Sequence, residues 1–268
     1  LTKKSQTKPT AVVITPTTGN PKVLDAIESV RKQTYPTKHV LVVDGEQFTG
    51  DFDDFSDSYY GIEKATGKQG FYNDKNTSVI YLKDNTGQPG FYGHRIFAGV
   101  SHLVNEDYVF FLDQDNWFEP DHVKNSIELF QSNPEIAWVH SLRNVYDKNK
   151  KFLCRDNCES LGKWPVWNDE NSFHVDTSSY SFNRQFLIQI ASLWHGGYAQ
   201  DRKVFNILKQ NFRPDIWQTT GQYTLNYRLD GNANSASPDF FKKGNEVMKG
   251  RYQVDVRGYP WNKQDSQL

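Results

Sequence analysis

The chain has 268 residues, 37% hydrophobic and 24% charged, which supplies enough apolar side chain for a sizeable core and excludes global disorder. Its 31 basic and 32 acidic side chains leave a formal net charge of −1, so it does not hold nucleic acid by bulk electrostatics, and any phosphate must be gripped locally. No run reaches the length of a membrane span, residues 1–10 lack the apolar core of a signal peptide, and Cys154 and Cys158 fit reduced thiols; a cytoplasmic location, peripheral to a membrane at most, is expected.

Residues 11–15 form a short apolar strand, closed by Pro16-Thr17-Thr18-Gly19. Asn20 and Pro21 read as N-cap and first residue of a helix that carries Val23, Leu24, Ile27 and Val30 at helical spacing. Residues 39–43 are a second buried strand, ending on Asp44-Gly45. Residues 47–77 are polar, with Asp51, Asp53, Asp54 and Asp57 close together. They read as a long solvated insertion, because the ligand spacing of an EF-hand is missing. Residues 79–82 are a third strand, and 91–104 a helix entered through Gly90 and Gly93. Residues 108–112 are continuously apolar, as in a strand buried on both faces, and run straight into Asp113-Gln114-Asp115. A helix over 120–131 and a strand over 136–142 follow.

This alternation predicts an α/β fold with a mostly parallel, Rossmann-like sheet and helices on both faces, whose ligands bind beyond the carboxyl ends of the strands. Asp44 and the pair Asp113 and Asp115 stand at two such ends. The second half is less regular: a turn at 147–150, helices over 183–194 and 201–209, the latter after Gly196-Gly197, a strand over 223–229, and a helix over 238–249 capped by Ser237.

An Asp-x-Asp triplet alone carries little, and Asp51 and Asp53 form another. Asp113 and Asp115 differ in ending an apolar strand, where side chains two apart point the same way. Two hard oxygen donors so placed can hold Mg²⁺ or Mn²⁺ and leave positions for phosphate oxygens, and such an ion offsets charge developing on a departing diphosphate. Seven Trp contribute to an aromatic content of 15%, much of it in polar stretches such as 163–167 and 194–198. Their rings suit the apolar faces of pyranoses.

Residues 12–20, Asp44-Gly45 and residues 110–120 together resemble the inverting family-2 glycosyltransferases with the GT-A fold. The resemblance covers most of residues 11–212 and continues into His174-Val175-Asp176-Thr177, residues 182–184 and residues 194–202. It implies one GT-A catalytic domain over 1–268, with a nucleotide-sugar-binding half at about 11–118, an acceptor-side half at about 119–212 and a C-terminal extension over 213–268. It implies metal-dependent transfer of a sugar from a nucleoside-diphosphate donor, UDP favoured, to a hydroxyl of a glycan or glycoconjugate, as in polysaccharide biosynthesis. Thr15, Pro16 and Thr17 would line the nucleotide pocket through backbone contacts, and Asp44 would accept a hydrogen bond from the uracil imide. His94 and Arg95 would meet the donor phosphates or base. Asp113 and Gln114 would face the donor's ribose or sugar, and Asp115 would bind Mn²⁺ or Mg²⁺ with Asp113 beside it.

Inverting transfer needs a base for the attacking hydroxyl. Asp201, at a helix start, takes that role, although the Glu-Asp pair common in the family reads Gln200-Asp201 here. Asp176 is the next candidate, and Trp194 stands on the acceptor side. A His that some relatives use as a further metal ligand after the base has no counterpart, His195 being the last histidine. Arg228 offers either a guanidinium for the diphosphate or a structural ion pair. Two alternatives share this fold. Sugar-nucleotide pyrophosphorylases need a Gly-rich, Arg-containing loop after the first strand, but residues 15–20 hold only Gly19 and no Arg. A carbohydrate-binding relative without turnover would show a broken metal pair or base, and both are present.

Overall fold

Alternate side chains of the first and fourth strands are apolar on both faces, and that double pattern is what sandwiches the sheet between two helical layers. The structure, a computed structural model, describes residues 8–50, 52, 75–231, 236–255 and 258–263. The insertion expected over 47–77, with its four aspartates, lies mostly outside the described residues. In chain order the elements are β1 (Ala11–Thr17), α1 (Val23–Arg31), β2 (Lys38–Asp44), β3 (Thr77–Leu82), α2 (His94–Val100), β4 (Tyr108–Phe111), β5 (Trp117–Phe118), α3 (His122–Ser132), β6 (Trp138–Tyr146) and β7 (Phe152–Arg155). They continue with β8 (Tyr180–Asn183), α4 (Arg184–Ile190), α5 (Gln200–Asn211), β9 (Trp217–Arg228) and α6 (Pro238–Arg251).

Among the described residues the strands form one sheet in the order β3-β2-β1-β4-β8-β6-β9-β5, with β7 paired to β6. β3, β2, β1 and β4 are mutually parallel. β8 is antiparallel to both β4 and β6, so β6 runs with β4, and β9 is parallel to β6. Six strands therefore share one direction (β1, β2, β3, β4, β6 and β9), while β5, β7 and β8 reverse. The expected α/β architecture is present, and the antiparallel strands lie in or beside the second half.

Val12 and Ile14 of β1 and Val109 and Phe111 of β4 pack with α2, α4 and α5 through Ile96, Phe97, Leu187, Ile190, Val204 and Phe205. Ala11, Val13, Phe110 and Leu112 point the other way, onto Ala26 and Val30 of α1 and Val123 and Ile127 of α3. Period-two alternation on two neighbouring strands thus fills both cores. Each fully buried aliphatic side chain contributes about 1.5–3 kcal/mol relative to exposure. A third core joins Leu142, Val145 and Tyr223 of β6 and β9 to Phe241 and Met248 of α6 and to Trp261.

Several boundaries depart from expectation for identifiable reasons. β1 extends past Pro16 to Thr17, which is tolerated because its pairing with β4 ends at Ile14 and the missing N–H removes no bond on that side. α1 begins at Val23 rather than Pro21, although the Asn20 Oδ1 accepts the Lys22 N–H at 3.0 Å. α2 is only seven residues long, because Tyr92, at φ +53°, keeps residues 91–92 out of the helix. α4 is capped by Asn183, which accepts from the Gln185 N–H, and gives way to a 3₁₀ turn over Ala191–Trp194. Ser237 caps α6 as expected, accepting from the Phe240 N–H. β9 starts six residues earlier than the pattern suggested and runs inside the sheet between β6 and β5. β5, β7 and β8 are two to four residues long, too short to show a period. No helix among the described residues is long and apolar enough to cross a membrane.

Candidate active site

The carboxyl ends of β1, β2 and β4 open into a cavity of about 530 Å³ lined by Pro16, Thr17, Asp44, His94, Asp113, Gln114 and Asp115, among others. Thr17 and Gln114 lock its floor: the Thr17 hydroxyl donates to Gln114 Oε1 at 2.8 Å, and the Thr18 N–H donates to the same oxygen at 3.0 Å. Thr15 is not part of this lining. Its side chain is fully buried and its hydroxyl meets His39 Nε2 at 2.9 Å, so its contribution is to join β1 and β2.

Asp44 lines the cavity as the last residue of β2, but its carboxylate also anchors the loop after β3. Oδ1 accepts from the Thr86 N–H and hydroxyl at 2.7 and 2.8 Å, and Oδ2 from the Gly87 N–H at 2.9 Å. Gly87 is required by that approach, since a Cβ there would lie 2.5 Å from the Tyr92 carbonyl and 2.8 Å from Asp44 Oδ2. Arg95 does not line the cavity. It lies over the Phe91 ring at 3.3 Å and donates to the Thr86 carbonyl at 3.3 Å, bracing the same loop from behind. His94 does line it, with Nδ1 3.2 Å from the Gly196 carbonyl, and burial holds its imidazole below the usual range and neutral.

Asp113 and Asp115 both face the cavity. Burial, then the charges of Asp115, Asp176 and Asp201, push the Asp113 carboxyl well above its ordinary range, opposed by the Ser178 hydroxyl, which donates to Oδ2 at 2.9 Å. Asp115 is pushed up to about 6, by burial and then by Asp230, with Lys22 and Arg228 acting against. Lys22 is itself paired to Asp230 at 2.5 Å. Arg228 is buried and paired to Asp25, with its backbone N–H on Asn116 Oδ1, so the structural alternative holds for it. Among the described residues no cluster of three or more His, Cys, Asp or Glu side chains forms a protein-only metal cage. Two hard carboxylate donors beside a cavity of this size still fit Mg²⁺ or Mn²⁺, which leave positions for substrate oxygens.

A second cavity, about 410 Å³, adjoins the first: His94 and Tyr227 line both. Its walls carry Asp201, His174, Asp176, Arg143, Glu159 and Arg202. Asp201 lies in the first turn of α5, following Ala199 at φ +57°. Burial first, then Asp176, raises its carboxyl to about 7, although the Arg202 N–H donates to Oδ1 at 2.7 Å. His174 Nε2 is 3.7 Å from Asp201 Oδ2, and burial followed by the charges of Arg202 and Arg143 keeps His174 neutral.

Asp176 has a different environment. Its Oδ2 accepts from Arg143 Nη1 at 2.6 Å and its Oδ1 from the Ser178 N–H at 2.9 Å. Arg143 is the hub of a buried network that also holds Asp156 at 2.7 Å and Glu159 at 2.5 Å, and Glu159 reaches Arg202 at 3.0 Å. Asp176 is thereby tied into a buried ion-pair network with both carboxylate oxygens engaged. Trp194, expected to face the acceptor, is fully buried among Phe111, Tyr180 and Phe182 and forms core. The exposed ring on this side is Tyr198, which lines the cavity. Sequence reasoning passed over Arg143 and Glu159, and it gave His174 and Arg202 no role beyond lying in stretches that carry the resemblance. A usable signal was Arg143, a charge directly after the strand expected over 136–142, which in a strand running on to Tyr146 requires a buried partner.

Comparison with known proteins bears on the family and the fold. The profile of "Glycosyl transferase family 2" matches residues 12–189. Similar solved structures include S. aureus TarS 1-349 in complex with UDP-GlcNAc (TM-score 0.59, 14% identity, covering 91% of this chain and 66% of that one). Another is the mannosyltransferase PcManGT from Pyrobaculum calidifontis in complex with GDP-Man and Mn²⁺ (TM-score 0.53, 13% identity, covering 98% and 69%). The chain spans about two thirds of TarS 1-349 and 39% of the longer TarS structure. No curated protein sequence matches. At these identities the neighbours establish a shared GT-A fold, and the profile match over most of the chain establishes the family. The chain belongs to glycosyl transferase family 2.

Proposed function

We propose that the chain is an inverting glycosyltransferase that moves a hexosyl group from a nucleoside-diphosphate donor, UDP-linked by preference, to a hydroxyl of a glycan or glycoconjugate. The observation that carries this reading is the adjacency of two buried acidic sites. The carboxylates of Asp113 and Asp115 line one cavity, Asp201 with a pKa of about 7 lines the next, and His94 and Tyr227 stand between them.

The donor's diphosphate would lie against Asp113 and Asp115, which would hold the divalent metal. When bound, that metal offsets charge on the departing diphosphate. Burial, and after it repulsion from Asp115, lifts the Asp113 pKa, and a cation would offset both. Pro16, Thr17 and Gln114 shape the floor under the nucleotide, and Asp44 fixes the Thr86–Gly87 turn beside the base as well as offering it an acceptor.

Asp201 is the general base. Its ionised carboxylate removes the acceptor hydroxyl proton as that oxygen bonds to the anomeric carbon, while the bond to the diphosphate oxygen breaks on the opposite face and configuration inverts. A pKa near 7 keeps a substantial ionised fraction at neutral pH and a carboxylate basic enough to accept the proton. Neutral His174 fills the space beside Asp201 without adding a positive charge that would depress that pKa. The cavity presents three carboxylates (Glu159, Asp176 and Asp201) against two guanidinium groups (Arg143 and Arg202), which favours an uncharged acceptor segment.

Calorimetric titration of UDP and GDP in Mn²⁺ and in EDTA, followed by transfer assays with the matching nucleotide sugars, tests this. The expected result is tighter UDP binding in Mn²⁺ and, from an α-linked donor, a β-linked product by NMR. Equal affinity with and without metal, or retained anomeric configuration, contradicts it.

A further inference from the structure

Tyr227, near the end of β9, lines both cavities of the cleft. Strand alternation turns it away from its neighbours, because Asn226 and Arg228 point to the other face of β9, where they bond Glu119 and Asp25. Across the sheet Tyr227 is in register with Val145. Arg143, two residues back on β6, lays its guanidinium over the phenol ring at 4.3 Å. Phe241 of α6 tilts against the same ring, with centroids 6.4 Å apart. The ring is therefore positioned by packing and a cation–π contact, neither of which uses its hydroxyl.

Among the described residues no protein group bonds that hydroxyl, and the oxygen is not buried. With the ring covered by Arg143 and Phe241, the hydroxyl opens where the two cavities meet. Burial first, then Asp176 and Glu159 of the second cavity and Asp115 of the first, holds its pKa above the ordinary tyrosine range, with Arg143 acting against. The phenol thus keeps its proton at neutral pH, and the charges that act on it come from both sides of the junction. Two of those carboxylates are already engaged: Asp176 with Arg143 and the Ser178 N–H, and Glu159 with Arg143 and Arg202. The hydroxyl is left as a neutral donor without a protein acceptor.

His94 also lines both cavities. Its Nδ1 donates to the Gly196 carbonyl, so the neutral ring offers Nε2 as an acceptor. One neutral donor and one neutral acceptor suit sugar hydroxyls, which both donate and accept. Neither residue brings a positive charge for a phosphate.

We infer that the Tyr227 hydroxyl donates a hydrogen bond to the transferred hexosyl group of the bound donor, at an uncharged hydroxyl or ring oxygen, and so favours the nucleotide sugar over the bare nucleotide. The inference rests on the donor reading above, in which the diphosphate lies at Asp113 and Asp115 and the sugar bridges towards Asp201.

The test is Tyr227→Phe, which keeps the ring under Arg143 and removes the hydroxyl alone. Calorimetry in Mn²⁺ compares wild type and variant for UDP, UDP-glucose, UDP-galactose and UDP-N-acetylglucosamine. The UDP-sugar that the wild type binds best should bind the variant about three- to tenfold more weakly, the range expected for one lost hydrogen bond. UDP affinity and melting temperature should not change. In transfer assays kcat/KM for the donor should fall by at least that factor, while the acceptor KM stays the same. Unchanged UDP-sugar affinity overturns the inference. Equal weakening of UDP and UDP-sugar also overturns it, by moving the contact to the nucleotide, and so does a lowered melting temperature, by making the hydroxyl structural. A wild type that fails to bind UDP at all overturns the donor reading itself, and the inference with it.

Discussion

The two halves of the cleft are held by different physics. In the proposed donor half, the lining groups come from neighbouring strand ends and are fixed by short neutral or singly charged hydrogen bonds: Thr17 to Gln114, and Asp44 to Thr86 and Gly87. In the proposed acceptor half, Asp201 stands beside a buried charge network gathered from β6, the loop after β7, the segment before β8 and α5, with Arg143 at its centre. The first design is tolerant, because each bond contributes about 0.5–1.5 kcal/mol. The second is brittle, because removing one member of a buried ion cluster leaves the others uncompensated. One half of the cleft is therefore expected to survive substitutions that cripple the other.

The sharpest break should come from Asp115→Ala. The proposed account expects transfer to fall by at least about 10³, a loss of roughly 4 kcal/mol or more in transition-state stabilisation. Donor affinity should fall in Mn²⁺ and stay unchanged in EDTA, as read by calorimetry. Arg143→Met is next, because it strands Asp156, Asp176 and Glu159. Denaturant unfolding should show a loss of about 3–5 kcal/mol. Variants that remain folded should bind UDP as before and lose transfer, which would separate the two halves experimentally.

Asp44→Ala should cost about 1–3 kcal/mol in stability by freeing the Thr86–Gly87 turn, and weaken UDP by a comparable amount. A stability loss with unchanged UDP affinity would make Asp44 a loop anchor alone. The smallest effect belongs to Tyr198→Ala. Removing the exposed ring beside Asp201 should raise the acceptor KM only a few-fold, about 0.5–1.5 kcal/mol, and leave the donor KM alone. An equal change in both would remove Tyr198 from the acceptor side.

The same contrast explains what the sequence revealed. β1, β2, β4, α1 and α3 were legible because each buries a periodic apolar set, and their ends carried Asp44, Asp113 and Asp115 into one cavity. Arg95 was misread because proximity in sequence to a helix start does not say which way a side chain turns: Arg95 lies on Phe91. Trp194 was misread because an aromatic ring in a polar stretch can still be core. Asp176 was weighed without its partner, since Arg143 is 33 residues away and lies just beyond the strand as the pattern bounded it. Asp201 could be placed at a helix start, but its tuning arises from Asp176, Glu159 and burial, which only tertiary structure assembles.

That tuning has a stability consequence with a definite sign. The folded-state pKa of Asp201, about 7, lies above the roughly 3.9 of an unfolded aspartate. Its favourable contribution is therefore complete below the unfolded value and is lost as pH rises through about 7, where burying the charge opposes folding. Asp201→Asn should melt higher than the wild type above that pH and close to it well below.

The most direct test of the central claim is the pH dependence of kcat/KM for the acceptor, measured for the wild type and Asp201→Asn with Mn²⁺ and donor saturating. With Asp201 as the base, the wild-type value rises about tenfold per pH unit up to about 7 and then levels. The Asn variant, folded and binding donor normally, loses that limb and turns over about 10²–10⁴ times more slowly. A wild-type profile flat through neutrality, or an Asn variant within a few-fold of wild type, contradicts the account.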